Sequence, residues 1–213
     1  ADVINMSFGG RWFQLRQDVA AIKFWTQAAA KLGCPVVGLF LGKYETREGR
    51  LAQLRVDAQA FAECAAFARP YGVKYGIENH RIYITDKEVD PDETEAEDLP
   101  RVLDMIGSPL FGSIPDCDNF FRRNYPALTP DERERNYAHF DRLMPRAVHV
   151  HVKVKGTDQG DAREQCDMRR LADILRKHGY DGSVAFEFMK PLLEGKDAVL
   201  AANRAALSQS LAG

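Results

Sequence analysis

Short runs of β-branched and aromatic residues alternate with longer stretches of helical period along this chain of 213 residues. This alternation is typical of βα units, in which helices connect parallel strands. Six runs are predicted to be strands: Asp2–Met6, Pro35–Leu41, Gly72–Glu78, Leu110–Asp116, Ala147–Val152 and Ser183–Phe188. We therefore predict an α/β fold with a parallel sheet, formed as a single domain over residues 1–213.

A helix is predicted after each strand. In the clearest of them apolar residues recur three and four positions apart, which places them on one face. These helices are Asp18–Leu32, Leu51–Ala68, Asp131–Leu143, Met168–His178 and Lys196–Ser208. Gly33 and Gly179 follow two of them at the position that favours a glycine cap. The acidic stretch Asp90–Asp98 has no apolar period, so it is predicted to be a solvated loop with the first turn of a helix.

Charge and cysteine content argue against several classes of protein. The formal net charge is −2, and basic residues are interspersed with acidic ones, so the basic patch of a nucleic-acid binder is missing. Cys34, Cys64, Cys117 and Cys166 form no CxxC pair, which favours free thiols in a reducing compartment. The sequence also has no apolar run of the roughly 20 residues that span a membrane. We expect a cytoplasmic protein that binds neither nucleic acid nor membranes.

Polar residues lie at the ends of the last four predicted strands. In the third strand Tyr75 and Ile77 share the face turned toward the helices, whereas Glu78 lies on the opposite face. In the sixth strand Phe186 faces the helices and Glu187 turns away from them. Each of these strands therefore places a carboxylate on the face without helices.

The fifth strand alternates strictly between valine and polar residues. The valines predicted to face the helices are Val148, Val150, Val152 and Val154. The residues predicted for the opposite face are His149, His151 and Lys153. His151 is the preferred functional histidine because it is nearer the end of the strand, while His149 is predicted to be structural or to orient a ligand.

The spacing of these residues indicates a common site. Glu78 and Asp116 are 38 positions apart, His151 follows after 35 more, and Glu187 after another 36, which is one residue per βα unit. In a closed barrel the ends of such strands converge, and barrel enzymes place their catalytic groups there. Three carboxylates and an imidazole would repel one another without a cation, so a divalent metal ion is predicted. The oxygen-rich set favours Mn²⁺ or Mg²⁺ and leaves Co²⁺ or Zn²⁺ open.

Each residue also has a plainer interpretation. Glu78 or Glu187 alone would more often be a surface charge or a partner of a helix N-terminus. Asp116 suits a turn or a helix cap, and His149 and His151 could both be buried core histidines. The metal site is favoured only because four suitable residues occur together at the spacing of a barrel.

Four segments resemble, in order, the signatures of the sugar phosphate isomerase/epimerase family, the xylose-isomerase-like barrel group. They are Ile77–His80, Pro115–Phe120, His149–Lys153 and Gly179–Glu187. The resemblance implies an eight-stranded (β/α)8 TIM barrel whose metal is held by Glu78, Asp116, His151 and Glu187. It also implies that three residues lie near substrate hydroxyls or phosphate, namely His80, Asn119 and Lys153.

The sequence departs from the family pattern in three respects. The family has eight strands and six are predicted here, so the domain is expected to lack the first two βα units. Asp118 stands where many members of the family carry glycine, and Val154 where many carry aspartate. The two substitutions bear on the substrate more than on the metal.

The resemblance implies a metal-dependent isomerase or epimerase of sugars or sugar phosphates, with a small sugar or polyol as substrate. Glu78 and Glu187 would be its catalytic residues, transferring a proton through an enediolate. Three alternatives remain open: an inosose-type dehydratase with the same metal, an apurinic-site endonuclease with a histidine-rich zinc cluster, and a non-catalytic barrel that binds a sugar or serves as a scaffold. The oligomeric state is also open, with a homo-oligomer among the options.

Overall fold

The part of the chain that the structure describes contains six parallel strands in chain order, as the sequence predicts. The computed structural model describes residues 5–7, 15–41, 47–80, 91–121, 128–153, 167–187 and 196–212. The strands are β1 Asn5–Ser7, β2 Val36–Leu39, β3 Lys74–Glu78, β4 Phe111–Ile114, β5 Val150–Lys153 and β6 Val184–Glu187. Strands β1 to β4 form one hydrogen-bonded sheet and β5 pairs with β6. Two single parallel bridges, Ser113 with Ala147 and Asp116 with His151, connect the two groups.

The described helices follow the strands along the chain, and the last helix comes after the last strand. They are α1 Leu15–Leu32, α2 Arg47–Ala68, α3 Pro91–Ile106, α4 Cys117–Phe120, α5 Pro130–Leu143, α6 Met168–Lys177 and α7 Lys196–Ala212. Gly33 and Gly179 have φ values of 69° and 57°, which confirms the predicted glycine caps. Helix α5 begins with a capping box, in which Thr129 and Glu132 each accept the other's backbone N–H. Helix α4 was not predicted, because four residues carry no helical period.

The prediction of a solvated loop within Asp90–Asp98 is wrong, whereas the helical turn that was also predicted there is confirmed. Asp90 lies outside the described residues. Helix α3 includes every residue of this stretch from position 91 onward. The carboxylate of Glu95 is buried and accepts the backbone N–H of His80 at 2.6 Å. Asp98 is also buried and pairs with the Arg50 guanidinium at 2.6 Å. His80 and Arg50 lie outside this stretch, so the local charge run gives no sign that Glu95 and Asp98 face inward.

Alternation along the strands separates a helix-facing core from the barrel interior. Tyr75, Ile77, Val150 and Val152 are completely buried and belong to the core that the helices cover. Side chains from the helices that complete this core include Leu54, Leu99, Leu103, Phe140, Leu171 and Leu175. The helix-facing assignment made from the sequence is therefore confirmed for these four strand residues.

The prediction that Val148 faces the helices is wrong. A Cβ placed on Gly76 would contact both Ile114 and Val148, so these two side chains lie on the interior side. The alternation fails at Val148 because it occupies a bend before β5, and regular strand geometry begins only at Val150. Val154 lies outside the described residues.

Two interior glycines allow adjacent strands and their connections to approach closely. A Cβ on Gly76 would overlap the Ile114 side chain, and one on Gly112 would overlap the backbone carbonyl of Arg146 and the side chain of Val148. A backbone carbonyl cannot rotate away as a side chain can. A side chain is therefore less tolerable at Gly112 than at Gly76.

We expect Gly112→Ala to lower the free energy of unfolding by about 2 kcal/mol or more, because the backbone near Arg146 must shift to admit the methyl group. Gly72→Ala is the matched control: Gly72 has φ 65° but open space around its Cβ position, so only the backbone cost of about 1 kcal/mol applies. Urea unfolding of both variants measures the difference. Equal losses would contradict the close approach at Gly112.

None of the described helices is both long and apolar enough to cross a membrane. Cys34, Cys64 and Cys117 are buried free thiols, as predicted for these three positions. Cys166 lies outside the described residues.

Candidate metal centre

The four predicted ligand residues lie together at the carboxyl ends of the strands. Glu78 ends β3, Asp116 follows β4, His151 lies in β5 and Glu187 ends β6. One nitrogen or oxygen atom from each lies within 4.8 Å of the others. In a flat sheet β3 and β6 would be three strand spacings apart, about 14 Å. The sheet must therefore curl, which brings the ends of its strands to a common point.

Glu78 is buried and held by two neighbours. The Asn119 side-chain amide donates to its Oε1 at 3.0 Å, and His151 Nδ1 lies 3.5 Å from its Oε2. Burial by itself raises the pKa of Glu78, but the hydrogen bond and charge of His151, with a contribution from Lys153, outweigh burial and lower it. Glu78 is therefore an oriented carboxylate that keeps its charge.

Asp116 is completely buried, and the Asn79 amide fixes its backbone. Asn79 accepts the Asp116 N–H at 2.6 Å and donates to its carbonyl at 2.9 Å, which ties the end of β3 to the end of β4. The Asp116 carboxylate also accepts the Asn119 N–H at 3.2 Å. The plainer interpretation of Asp116 as a helix cap therefore holds as well, since the same carboxylate caps α4 and takes part in the cluster.

The pKa of Asp116 is raised to about 7. Burial is the main cause, Lys153 opposes it, and the negative charges of Glu78 and Asp118 add to it. A second cation beside Asp116 would favour its charged form. The donor set thus fits a divalent ion, because three carboxylates and one imidazole converge where their negative charge is only partly balanced.

His149 and His151 pack edge to face, with ring centroids 5.0 Å apart. The Nδ1 atom of His149 forms a 2.7 Å hydrogen bond with the hydroxyl of Ser183. Burial, followed by the charge of His151, lowers the pKa of His149 to about 4, so its ring is neutral near pH 7. Burial also disfavours the charged form of His151, but its hydrogen bond to Glu78 and the nearby carboxylates raise its pKa overall. Of these two histidines, His151 is the one that contributes to the cluster.

Lys153 extends into the cluster itself. Its amino group lies 2.7 Å from Asp116 Oδ2 and also contacts Glu187 Oε2. Its backbone N–H donates to Asp118 Oδ2 at 2.9 Å. The ammonium therefore contacts two of the four candidate ligands.

The other two residues predicted near the substrate have defined partners in the protein. The side-chain amide of Asn119 donates to Glu78 and, at 2.7 Å, to the carbonyl of Asn79. The His80 ring packs edge to face on Phe40, with centroids 5.3 Å apart. Their contacts with a substrate stay a prediction. Sequence reasoning did not single out Asn79, which braces the site through non-local contacts that have no signature in the sequence.

The fold and the cluster together define a parallel (β/α) barrel with a candidate metal centre at the carboxyl ends of its strands. The family model described as "Xylose isomerase-like TIM barrel" matches residues 4–208. The chain belongs to this family, which confirms the resemblance and the barrel fold inferred from the sequence. It matches no curated protein.

Solved structures with the same fold are similar to most of the chain. The match to L-ribulose 3-epimerase covers 97% of this chain and 74% of the epimerase chain, with 15% identity and a TM-score of 0.69. A second match is a xylose isomerase-like barrel protein from Mycobacterium smegmatis, solved in complex with magnesium. It covers 97% of this chain and 72% of that protein, with 18% identity and a TM-score of 0.66. The match to the IOLI protein, solved with a zinc atom, covers 97% of this chain and 74% of the IOLI chain, with 14% identity and a TM-score of 0.64. At these identities the likeness shows the fold.

We expect His149 to make the protein less stable in acid. Its pKa is about 4 in the fold against 6.5 as the ordinary value. As the pH falls below 6.5, the unfolded chain takes up a proton that the folded His149 does not, so stability present at higher pH is lost. The loss should reach about 2 kcal/mol by pH 5. Urea unfolding of the wild type at pH 7.5 and pH 5, in the presence of a chelator, measures the total change.

The comparison is with His149→Asn, whose amide can still bond Ser183 but does not titrate. Between the two pH values this variant should not lose the part of the free energy of unfolding that is due to His149. If both proteins lose the same stability between the two pH values, the neutral buried state of His149 is contradicted.

Proposed function

We propose that this protein is a divalent-metal-dependent isomerase or epimerase of a sugar, sugar phosphate or polyol, acting by proton transfer through an enediolate. The observation that carries the proposal is the convergence of Glu78, Asp116, His151 and Glu187 within 4.8 Å. Mn²⁺ or Mg²⁺ is the proposed ion because three of the four donors are carboxylate oxygens, and Co²⁺ or Zn²⁺ is the alternative. The proposed setting is the cytoplasm, where the three buried free thiols would stay reduced.

A divalent ion held by these four residues would polarise a substrate carbonyl and acidify the neighbouring C–H. Glu187 is the proposed base, because 44% of its side chain is exposed and a substrate can approach it. Glu78 is only 7% exposed and is held by Asn119 and His151. The two carboxylates extend from β3 and β6, and strands β4 and β5 lie between these two strands. Proton return to another carbon gives isomerisation, whereas return to the opposite face by the second glutamate gives epimerisation.

The alternatives make different use of the same site. An inosose-type dehydratase would remove the same kind of proton and then expel hydroxide, so its product differs. A non-catalytic barrel would bind metal and sugar without exchanging a proton. An apurinic-site endonuclease would need more histidine ligands, whereas His151 is the one histidine in the cluster that the described residues form. The proposed partner is therefore a small molecule.

The test is proton exchange in D₂O. The purified protein is incubated with Mn²⁺ and a panel of ketoses, inososes and their phosphates, and NMR follows deuterium uptake beside the carbonyl. We expect uptake that depends on metal and stops on chelation, and the product spectrum separates isomer, epimer and dehydrated product. If a folded, metal-loaded protein takes up no deuterium from any compound, the catalytic proposal fails in favour of a binding barrel.

Glu187→Gln tests the assigned base. The amide is similar in size but cannot accept the proton, so exchange should fall by about 100-fold or more. Its circular dichroism spectrum should match that of the wild type, since Glu187 lies at a strand end and is partly exposed. A variant that retained both metal affinity and exchange rate would rule out Glu187 as ligand and base.

Asn119→Ala tests how Glu78 is oriented. The Asn119 amide bonds Glu78 and the Asn79 carbonyl, and losing such support typically weakens metal binding by about 10- to 100-fold. Isothermal titration with Mg²⁺ or Mn²⁺ measures the affinity. Asn136→Ala, at a buried asparagine of helix α5, is the matched control and should leave the affinity unchanged. Equal affinities in the two variants would contradict the orienting role of Asn119.

A further inference from the structure

We propose that the Lys153 amino group competes with the divalent ion for Asp116 and Glu187, so that metal binding releases Lys153 toward the substrate. The inference rests on the proposed metal-dependent function. It starts from two contacts of the ammonium, with Asp116 Oδ2 at 2.7 Å and with Glu187 Oε2. Both carboxylates belong to the set of four that can hold a metal ion.

The two cations need the same space. A divalent ion lies about 2.0–2.6 Å from its carboxylate oxygens. An ammonium that bridges the same two carboxylates from 2.7 Å would then lie within a few ångströms of the ion. Two cations this close repel strongly in a site with little water. The divalent ion, with twice the charge, is the better partner for the cluster, so the lysine side chain yields.

Burial explains why Lys153 otherwise remains in place. Its side chain is 7% exposed, and that of Asp116 is completely buried. Withdrawing the ammonium with no replacement would leave the carboxylates unbalanced, which is costly in a buried position. Burial lowers the pKa of Lys153, but the carboxylates of Asp116 and Glu187 more than offset this and raise it, so the amine stays charged. Exchange of one cation for another avoids the unbalanced state.

The backbone of Lys153 is fixed while its side chain can turn. Its N–H donates to Asp118 Oδ2 at 2.9 Å, and its Cα is paired with that of Glu187 across β5 and β6. The release is therefore a rotation of a flexible four-carbon side chain and leaves the strand in place. Lys153 is the last residue of β5, so the released amine remains at the mouth of the site. There it can donate a hydrogen bond to a substrate oxygen as negative charge develops.

The test is the affinity of Lys153→Met for Mg²⁺ and Mn²⁺, by isothermal titration at a fixed pH. The variant keeps the length of the side chain and removes the charge. We expect it to bind the ion at least about tenfold more tightly than the wild type, because the contacts of the ammonium with Asp116 and Glu187 no longer have to be broken. Lys177→Met is the matched control, since Lys177 pairs with Asp141 at 2.6 Å on the helix surface, and it should leave the affinity unchanged.

Salt separates direct competition from a general field effect. The contribution of a distant charge is screened at high ionic strength, whereas a buried contact is screened much less. The tighter binding of Lys153→Met should therefore persist in 1 M NaCl. If the gain disappears in salt, or if the variant binds the ion as well as or more weakly than the wild type, competition is excluded and Lys153 only positions the ligands. Lys153→Gln repeats the comparison with a polar side chain, in case the methionine variant folds poorly.

A second readout concerns the released amine. Lys153→Met should bind metal more tightly and yet exchange substrate protons more slowly, a pair of opposite changes that loss of structure would not produce. Equal or faster exchange would contradict the role at the substrate. If the wild type binds no metal, the proposed function itself is refuted. If the wild type binds metal and Lys153→Met binds it no more tightly, only the competition is refuted.

Discussion

The burial of the Asp116 carboxylate is the constraint on which the site depends. A buried charge is tolerated only where other groups balance and bond it. Around Asp116 the chain supplies a helix N-terminus, a lysine and the two-way bond from Asn79 to its backbone. The raised pKa shows that this balance is incomplete. A site built in this way is tightly held, and its donor set fits a cation.

The barrel geometry brings that charge to its partners. Glu78 and Glu187 come from strands separated by two others, and only a curled sheet places them near one another. Gly76 and Gly112 contribute to this arrangement, because their missing side chains make room for Ile114 and Val148 in the interior. Bulky residues therefore fill the layer beneath the site while polar residues occupy its end. The same alternation that forms the core thus directs the carboxylates to one place.

Much of this arrangement follows from local pattern. The strand and helix periods predict the six βα units, and the polar residue at each strand end predicts the four that converge. The local sequence pattern does not predict contacts between segments that are distant in the chain. The hydrogen bond from the His80 N–H to Glu95 and the pairing of Asp98 with Arg50 show that part of the acidic stretch faces inward. In the same way, the valine alternation predicts the wrong face for Val148, because the bend before β5 is set by tertiary contacts.

The two glutamates of the centre are chemically unequal, and this inequality bears on the type of reaction. Glu78 is enclosed, its pKa is lowered, and Asn119 and His151 fix its direction. Glu187 is more open, with Lys153 as its bonded neighbour. Two carboxylates in different environments take different roles. We infer that Glu187 moves the proton, while Glu78 chiefly holds the ion. A site with one accessible base would favour transfer along one face of the substrate, and an epimerase would in addition require Glu78 to loosen from Asn119 during turnover.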